Sequence, residues 1–183
     1  MVQYANHKGP FLRISLYQSI SCRKGMEKRL YGKRAFGQFS SNKAQRPNTL
    51  GATKVELNWL TEPEWRLMLD FNKGDVIIKQ AGIYLLIAGP QVGKVSGTTP
   101  RWLDFWVRVN DVDVPNSNVR VVVTDPQEKT VIPLNVVLPL NSGDILNIIM
   151  ATETIDEGLG VEAIAPIGEP TIPSIILTLV QLD

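Results

Sequence analysis

The side chains that most often carry hydrolytic chemistry are scarce in this sequence. His7 is its one histidine and Cys22 its one cysteine. A nucleophile-histidine site needs the imidazole held firmly beside the attacking group, and His7 lies near a chain end. Arg23 and Lys24 would favour the thiolate form of an exposed Cys22, but a lone cysteine is more often inert. We therefore predict no catalytic residue, no cofactor and no enzymatic activity.

A glycine-containing stretch over residues 89–95 resembles a phosphate-binding loop at first sight. Its two glycines are separated by one residue fewer than in the phosphate-binding motif. Val95 occupies the position where that motif has the Ser or Thr that holds magnesium. The pattern after it predicts a strand, whereas a phosphate site of this type needs a helix N-terminus. We interpret this stretch as a loop between two strands.

Acidic side chains form two weak candidate calcium sites. One is the pair Asp111 and Asp113, which strand alternation would place on the same face. The other lies in a long connection, residues 152–173, which contains no Lys or Arg; its candidate ligands are Glu153, Asp156 and Glu157. Calcium needs six to eight convergent oxygen ligands, so we predict no confident metal site. A connection of this length is usually functional or packed against a neighbour.

The formal charge of +1 conceals a strong asymmetry. Residues 1–50 contain ten basic residues and one acidic residue, a net charge of +9, while residues 51–183 carry a net charge of −8. We call residues 1–50 the basic arm. Its candidate contact residues are Arg23, Lys24, Lys28, Arg29, Lys33 and Arg34. Such a charge split is typical of an interacting tail attached to a domain.

Three interpretations of the basic arm remain open. Its Lys and Arg side chains could neutralise nucleic-acid phosphates, or they could dock on the acidic surface of a neighbouring subunit. The arm is also Arg-rich, Ser-rich and poor in acids, as targeting peptides are. No apolar signal segment is visible and no run is long enough to span a bilayer, so we favour a virion or intracellular assembly over secretion.

Beyond residue 51 the periodicity is that of strands. Residues 102–109 alternate between polar and apolar types, and apolar runs elsewhere are separated by Gly, Pro, Asn and Asp. About nine strands without a convincing helix predict an all-β antiparallel jelly-roll sandwich over residues 51–183. The side chains expected in its core include Ile83, Leu85, Phe105, Val107, Val121, Ile145, Ile148, Ile176 and Leu177.

Four stretches in order carry a resemblance to a known family: residues 71–75 with 81–86, residues 102–114, residues 140–144 and residues 173–182. Together they resemble the jelly-roll superfamily of tumour necrosis factor and the complement globular heads. The resemblance implies a homotrimer, and Tyr84 is our candidate for its axis. No collagen-like stalk precedes the domain, and the basic arm stands in its place.

Two functions follow as hypotheses. The first is a structural subunit of a virion or similar shell, built on a trimeric jelly roll that assembles through its own surfaces and its basic arm. The second is a soluble trimeric recognition head that binds a protein or glycan through its loops. The basic arm favours the first hypothesis, and the family resemblance favours the second.

Overall fold

The computed structural model describes residues 34–70 and 72–183, except for the side chains of residues 61–64. Within these ranges the regular elements are all strands, as the strand periodicity predicts. In chain order they are β1 (Phe36–Ser41), β2 (Thr53–Lys54), β3 (Trp59–Trp65), β4 (Leu67–Asp70), β5 (Asp75–Ile78), β6 (Gly82–Gly93), β7 (Arg101–Val109), β8 (Val112–Asp113), β9 (Val119–Val123), β10 (Thr130–Val131), β11 (Leu134–Leu140), β12 (Ile145–Thr152), β13 (Gly160–Val161) and β14 (Ile175–Gln181).

The strands form two antiparallel sheets. Sheet I is centred on β6, which pairs with β14 and β13 along one side and with β11 and β10 along the other; β1 and β3 continue the sheet beyond β14. Sheet II follows the order β4, β5, β12, β7, with β9 and β8 pairing along the far side of β7 and β2 along β12. The predicted all-β antiparallel sandwich is confirmed.

Local sequence explains the tightest turn of sheet II. Asn110 and Asp111 join β7 to β8 with φ angles of 49° and 63°. Two successive positive φ angles describe the turn that best matches the twist of a hairpin, and Asn and Asp tolerate them better than most residues. The Asn110 amide also donates to Asp144 at 2.8 Å, which ties this turn to the one before β12.

The alternation in β7 correctly predicted which of its side chains lie in the core. Phe105 and Val107 are fully buried between the sheets, as are Ile148 of β12 and Leu177 of β14. Their neighbours on β7 are polar or amphipathic and lie on the outer face. Where a strand alternates clearly, the polar positions identify the solvent face.

The predicted core positions of the apolar strands are wrong in part. Ile83, Ile145 and Ile176 are each about two-fifths exposed, whereas Tyr84 and Leu86 are fully buried. β6 carries aliphatic side chains on both faces, so its sequence does not distinguish inside from outside. A shift of one residue exchanges the faces of a strand, and the structure places the even-numbered residues of this segment inward.

The sandwich begins before the position predicted for it. Phe36–Ser41, which the sequence analysis assigned to the basic arm, is β1 and lies between β14 and β3. Ala35, Phe39 and Ser41 are completely buried. The excess of basic residues around this segment obscured a six-residue strand in which Gly37, Phe39 and Ser41 face inward.

Residues 89–93 are also strand rather than loop. They continue β6, where Pro90 lies opposite Ile175 and Val92 opposite both Thr130 and Val161. Gly89 and Gly93 are therefore paired strand residues, and they lie opposite Ile176 and Gly160. The long connection is likewise ordered onto sheet I, because β13 within it pairs with the end of β6.

Candidate interaction surfaces

The outer surface of sheet I is apolar at its centre. β6, β14 and β11 carry aliphatic side chains on the side that faces away from sheet II as well as on the core side. We call this outward set the apolar face, and it consists of Ile83, Leu85, Ile87, Val137, Pro139, Ile176 and Val180. Its outward neighbours on the same strands and on β1 are also uncharged: Phe36, Gln38, Ser40, Gly89, Asn135 and Thr178.

Strand register joins the apolar face into one patch. Leu85 lies opposite Val180 on one side and Val137 on the other. Directly opposed side chains in a sheet have Cβ atoms about 4.5–5.5 Å apart, so these residues touch across three strands. Ile87 is 45% exposed and Val137 is 59% exposed. A contiguous exposed patch of this kind is a feature of interaction sites.

The outer surface of sheet II carries paired charges around β7 and β9, and it also exposes apolar side chains, among them Met68, Val122 and Ile145. Arg120 makes two bonds to Asp104, at 2.7 and 2.8 Å, and its guanidinium lies 4.1 Å from the centre of the Trp102 ring. Asp113 accepts from Arg108 at 2.7 Å and from the Trp106 indole at 2.6 Å. Charged and aromatic groups on this surface are thus paired with one another, and such a surface suits contact with water.

Tyr84, the candidate axis residue, does not lie on the apolar face. Its side chain is fully buried within the sandwich, and its hydroxyl donates to the Gln80 carbonyl at 2.6 Å. Burial raises its pKa, and the nearby Asp183 carboxylate adds to that effect. Because Tyr84 has no surface left for a second chain, Leu85 and Ile87 replace it as the residues of β6 that a neighbour could contact.

A buried lysine lies at one end of the sandwich. Lys94 follows β6, its side chain is fully inaccessible, and its ammonium donates to Glu157 at 3.0 Å and to the Thr99 carbonyl at 2.7 Å. The other oxygen of Glu157 accepts from Arg101 at 2.9 Å. The Glu157 carbonyl also accepts from the backbone of Val95 at 3.0 Å. This Lys94–Glu157–Arg101 network fastens the long connection to the β6–β7 turn.

Three of the five candidate calcium ligands are committed to other contacts. Asp113 and Glu157 accept from the cations described above, and one oxygen of Glu153 accepts from the Trp102 backbone at 3.0 Å. Asp111 is an exposed turn residue, and Asp156 is exposed in the long connection. Within residues 34–70 and 72–183 there is no group of three or more Asp, Glu, His or Cys side chains that could hold a metal ion.

The basic arm meets the acidic connection at one place that the structure describes. Arg46 bonds to Glu162 at 2.6 Å and to the Val161 carbonyl at 2.9 Å, and Lys129 approaches the same carboxylate at 3.7 Å. Gly160 permits this approach, because a Cβ atom there would lie 2.1 Å from the Gln45 carbonyl oxygen. The sequence analysis considered contact between the basic arm and the acidic surface of a neighbouring subunit, and the Arg46–Glu162 pair is a contact of the same kind within one chain.

Five of the six candidate contact residues of the arm lie outside the described residues: Arg23, Lys24, Lys28, Arg29 and Lys33. His7 and Cys22 also lie outside them. Arg34 is described, and it is exposed immediately before β1. Together with a hydrogen bond from the Ile83 backbone, its positive charge helps to hold the pKa of the Asp183 carboxylate below its ordinary value.

The Lys94–Glu157–Arg101 network predicts a loss of stability in acid. Hydrogen bonds from Lys94 and Arg101 hold the pKa of Glu157 below its ordinary value of 4.5, against a smaller effect of burial. Because the folded-state pKa is the lower one, Glu157 stabilises the fold above pH 4.5, and this stabilisation is lost as the pH falls through the folded-state pKa.

We expect the stability difference between the wild type and Glu157→Gln to be constant from pH 7 to pH 5 and to shrink below pH 4.5. Urea unfolding followed by circular dichroism across this range measures it. A difference that stays constant down to pH 2 would contradict the role assigned to this carboxylate.

Asp75 is a second carboxylate whose pKa is lowered in the folded protein. Burial by itself would raise the pKa of Asp75, but hydrogen bonds from Lys54 at 2.7 Å and Asn147 at 2.8 Å outweigh it, and the pKa is lowered. Asp75 therefore adds to the acid sensitivity, and it does so below its ordinary value of 3.8.

Sequence reasoning missed two features of these surfaces. Lys94 was considered only as part of a phosphate loop, and nothing in its neighbourhood marks it as buried. The apolar face did leave a signal, because β6 and β14 are aliphatic at successive positions, a pattern typical of strands covered on both sides.

In the part of the chain that the structure describes, a helix able to cross a membrane is not found. No protein-family model matches the chain, and no curated protein is significantly similar to it.

Proposed function

We propose that this protein is a non-enzymatic assembly subunit whose sandwich forms a homotrimer through the apolar face of sheet I. The single observation that carries the proposal is the contrast between the two outer surfaces. The surface of sheet II combines paired charges around β7 with exposed apolar side chains such as Met68 and Val122, whereas the centre of sheet I carries a connected aliphatic patch without a charged side chain. A closed ring of subunits buries such a patch on every copy.

The resemblance to trimeric jelly rolls supports three as the number of subunits. The basic arm supports a further level of assembly, in which trimers contact nucleic acid or the acidic surface of other subunits in a virion or similar shell. The particle mass separates this hypothesis from a free recognition head. A head would remain at three times the chain mass of 20.3 kDa, whereas a shell component would form a far larger particle.

A single charge on the apolar face is expected to separate the subunits. Ile87→Lys places an ammonium at the centre of the proposed interface, where it would lose water without gaining a partner. We expect the dissociation constant to rise by roughly a hundredfold. Sedimentation equilibrium should then show a folded monomer at micromolar concentration.

The matched control is Val122→Lys, at a position that is 58% exposed on the outer side of sheet II. It adds the same charge to the other surface and is expected to leave the trimer intact. The proposal fails if the wild type is monomeric, or if both variants remain associated to the same degree.

A further inference from the structure

A small cleft opens at the edge of sheet I, where β1 and β3 meet the end of the long connection. It has a volume of about 270 Å³ and is lined by Ser40, Asn42, Trp59, Thr171 and Pro173. This volume is near the lower end of the range for small-molecule sites. The cleft is lined by residues of one subunit, and it opens beside the apolar face, because Ser40 lies opposite Ile176.

Trp59 differs from the other tryptophans of the chain. A guanidinium lies 4.1 Å from the centre of the Trp102 ring and another lies 5.6 Å from that of Trp65, while the Trp106 indole donates to Asp113. Trp59 is 58% exposed, and neither its ring nor its N–H has a partner among the described residues. A large flat ring is thus left open beside the cleft.

The polar groups of the cleft are neutral and retain bonding capacity. The Asn58 amide donates to the Asn42 side-chain oxygen at 2.9 Å, which orients that side chain and leaves the Asn42 amide nitrogen able to donate. Within the described part of the chain, the hydroxyls of Ser40 and Thr171 have no hydrogen-bond partner. A hydroxyl both donates and accepts, so the cleft offers both kinds of group to a ligand.

We infer that this cleft binds a neutral saccharide, with one sugar ring stacked on Trp59. The face of an indole ring is electron-rich and attracts the weakly positive C–H groups on the flat side of a sugar. The ring hydroxyls would exchange bonds with Ser40, Asn42 and Thr171. The lining residues carry no charge, so an anionic or cationic ligand would find no counter-charge there.

The test uses the full chain labelled with ¹⁵N-tryptophan, so that each indole N–H gives its own resonance. The probes are the methyl glycosides of glucose, galactose, mannose and N-acetylglucosamine. We expect at least one to shift the Trp59 resonance saturably in the millimolar range, while the Trp102 and Trp106 resonances stay in place. Glycerol, which lacks a ring, is expected to cause no saturable shift.

Two variants check the contacts. Because Trp59→Ala removes its own signal, binding to it is measured by saturation transfer to the sugar, and we expect roughly a tenfold loss of affinity. Thr171→Val keeps the shape of an exposed loop residue and is expected to weaken binding severalfold. The inference is overturned if no glycoside shifts Trp59, if glycerol shifts it equally, or if Trp59→Ala leaves sugar binding unchanged. It is also overturned if the oligomer covers Trp59, so that the resonance responds to a sugar only when the subunits separate.

Discussion

Deletion of residues 1–46 is expected to prevent folding, whereas deletion of residues 1–33 should leave the sandwich folded. The longer deletion removes β1, which pairs with both β14 and β3. It also removes Phe39, which is fully buried, and burying one such side chain contributes about 2–3 kcal/mol. With the ladder hydrogen bonds of six residues, at about 1 kcal/mol each, the loss approaches the whole stability of a typical domain.

The contacts of Ala35 define how far a deletion can extend. Its N–H donates to the Gln181 side chain at 2.8 Å, and its carbonyl accepts from the Gln181 backbone at 2.8 Å. Circular dichroism and the cooperativity of thermal unfolding measure the outcome for both deletions. If the chain that begins at residue 47 unfolds with the same midpoint as the chain that begins at residue 34, then β1 contributes nothing to the sandwich.

The shorter deletion also tests the basic arm. It removes Arg23, Lys24, Lys28, Arg29 and Lys33 while keeping every strand that the structure describes. We expect a folded trimer that no longer forms larger particles. A truncated chain that still builds the full-size particle would show that the first 33 residues are not an assembly element.

Glu157→Gln is expected to lower the thermal unfolding midpoint by roughly 10 °C at pH 7. The substitution keeps the size of the side chain but leaves the Lys94 ammonium buried without a counter-charge. Breaking a buried ion pair on one side is costly, because the remaining charge has neither water nor a partner. Differential scanning calorimetry measures the change.

Two further variants isolate this cause. Asp113→Asn removes an ion pair that is shorter, at 2.7 Å, but whose carboxylate is 57% exposed, and we expect only a small shift of the midpoint. Lys94→Met removes the buried charge, so adding it to Glu157→Gln should recover part of the lost stability. An equal loss in Glu157→Gln and Asp113→Asn, or no recovery in the double variant, would mean that the burial of Lys94 is not what makes Glu157 important.

Whether the buried face of a strand could be predicted depended on whether its two faces differ in polarity. In β7, polar Asp104 and Arg108 alternate with Phe105 and Val107, and the face buried in the structure is the one predicted. In β6, residues 83–87 are apolar throughout, and Tyr84 was assigned to the surface while Leu85 was assigned to the core. The structure places them the other way round. A period of two can be read only where the two faces differ in polarity.

The candidate site residues divide in a similar way. The sequence analysis named Glu153, Asp156 and Glu157 as weak calcium candidates, but the residue that determines the role of Glu157 is Lys94, which lies 63 positions earlier in the chain. The cleft beside the exposed Trp59 depends on Thr171 and Pro173, which are still more remote from it in sequence. Such pairings arise from the order of strands in the sheets, and local patterns do not record them.

The sequence by itself determined the all-β class of the body and the charge asymmetry of the chain, because these depend on composition and on the local alternation of polar and apolar residues. Only the tertiary structure decided that β1 belongs to the sandwich, that Tyr84 faces inward and that Lys94 is buried beside Glu157. Each of these depends on a partner strand or loop far along the chain, and burial is a property of that pairing rather than of the residue itself.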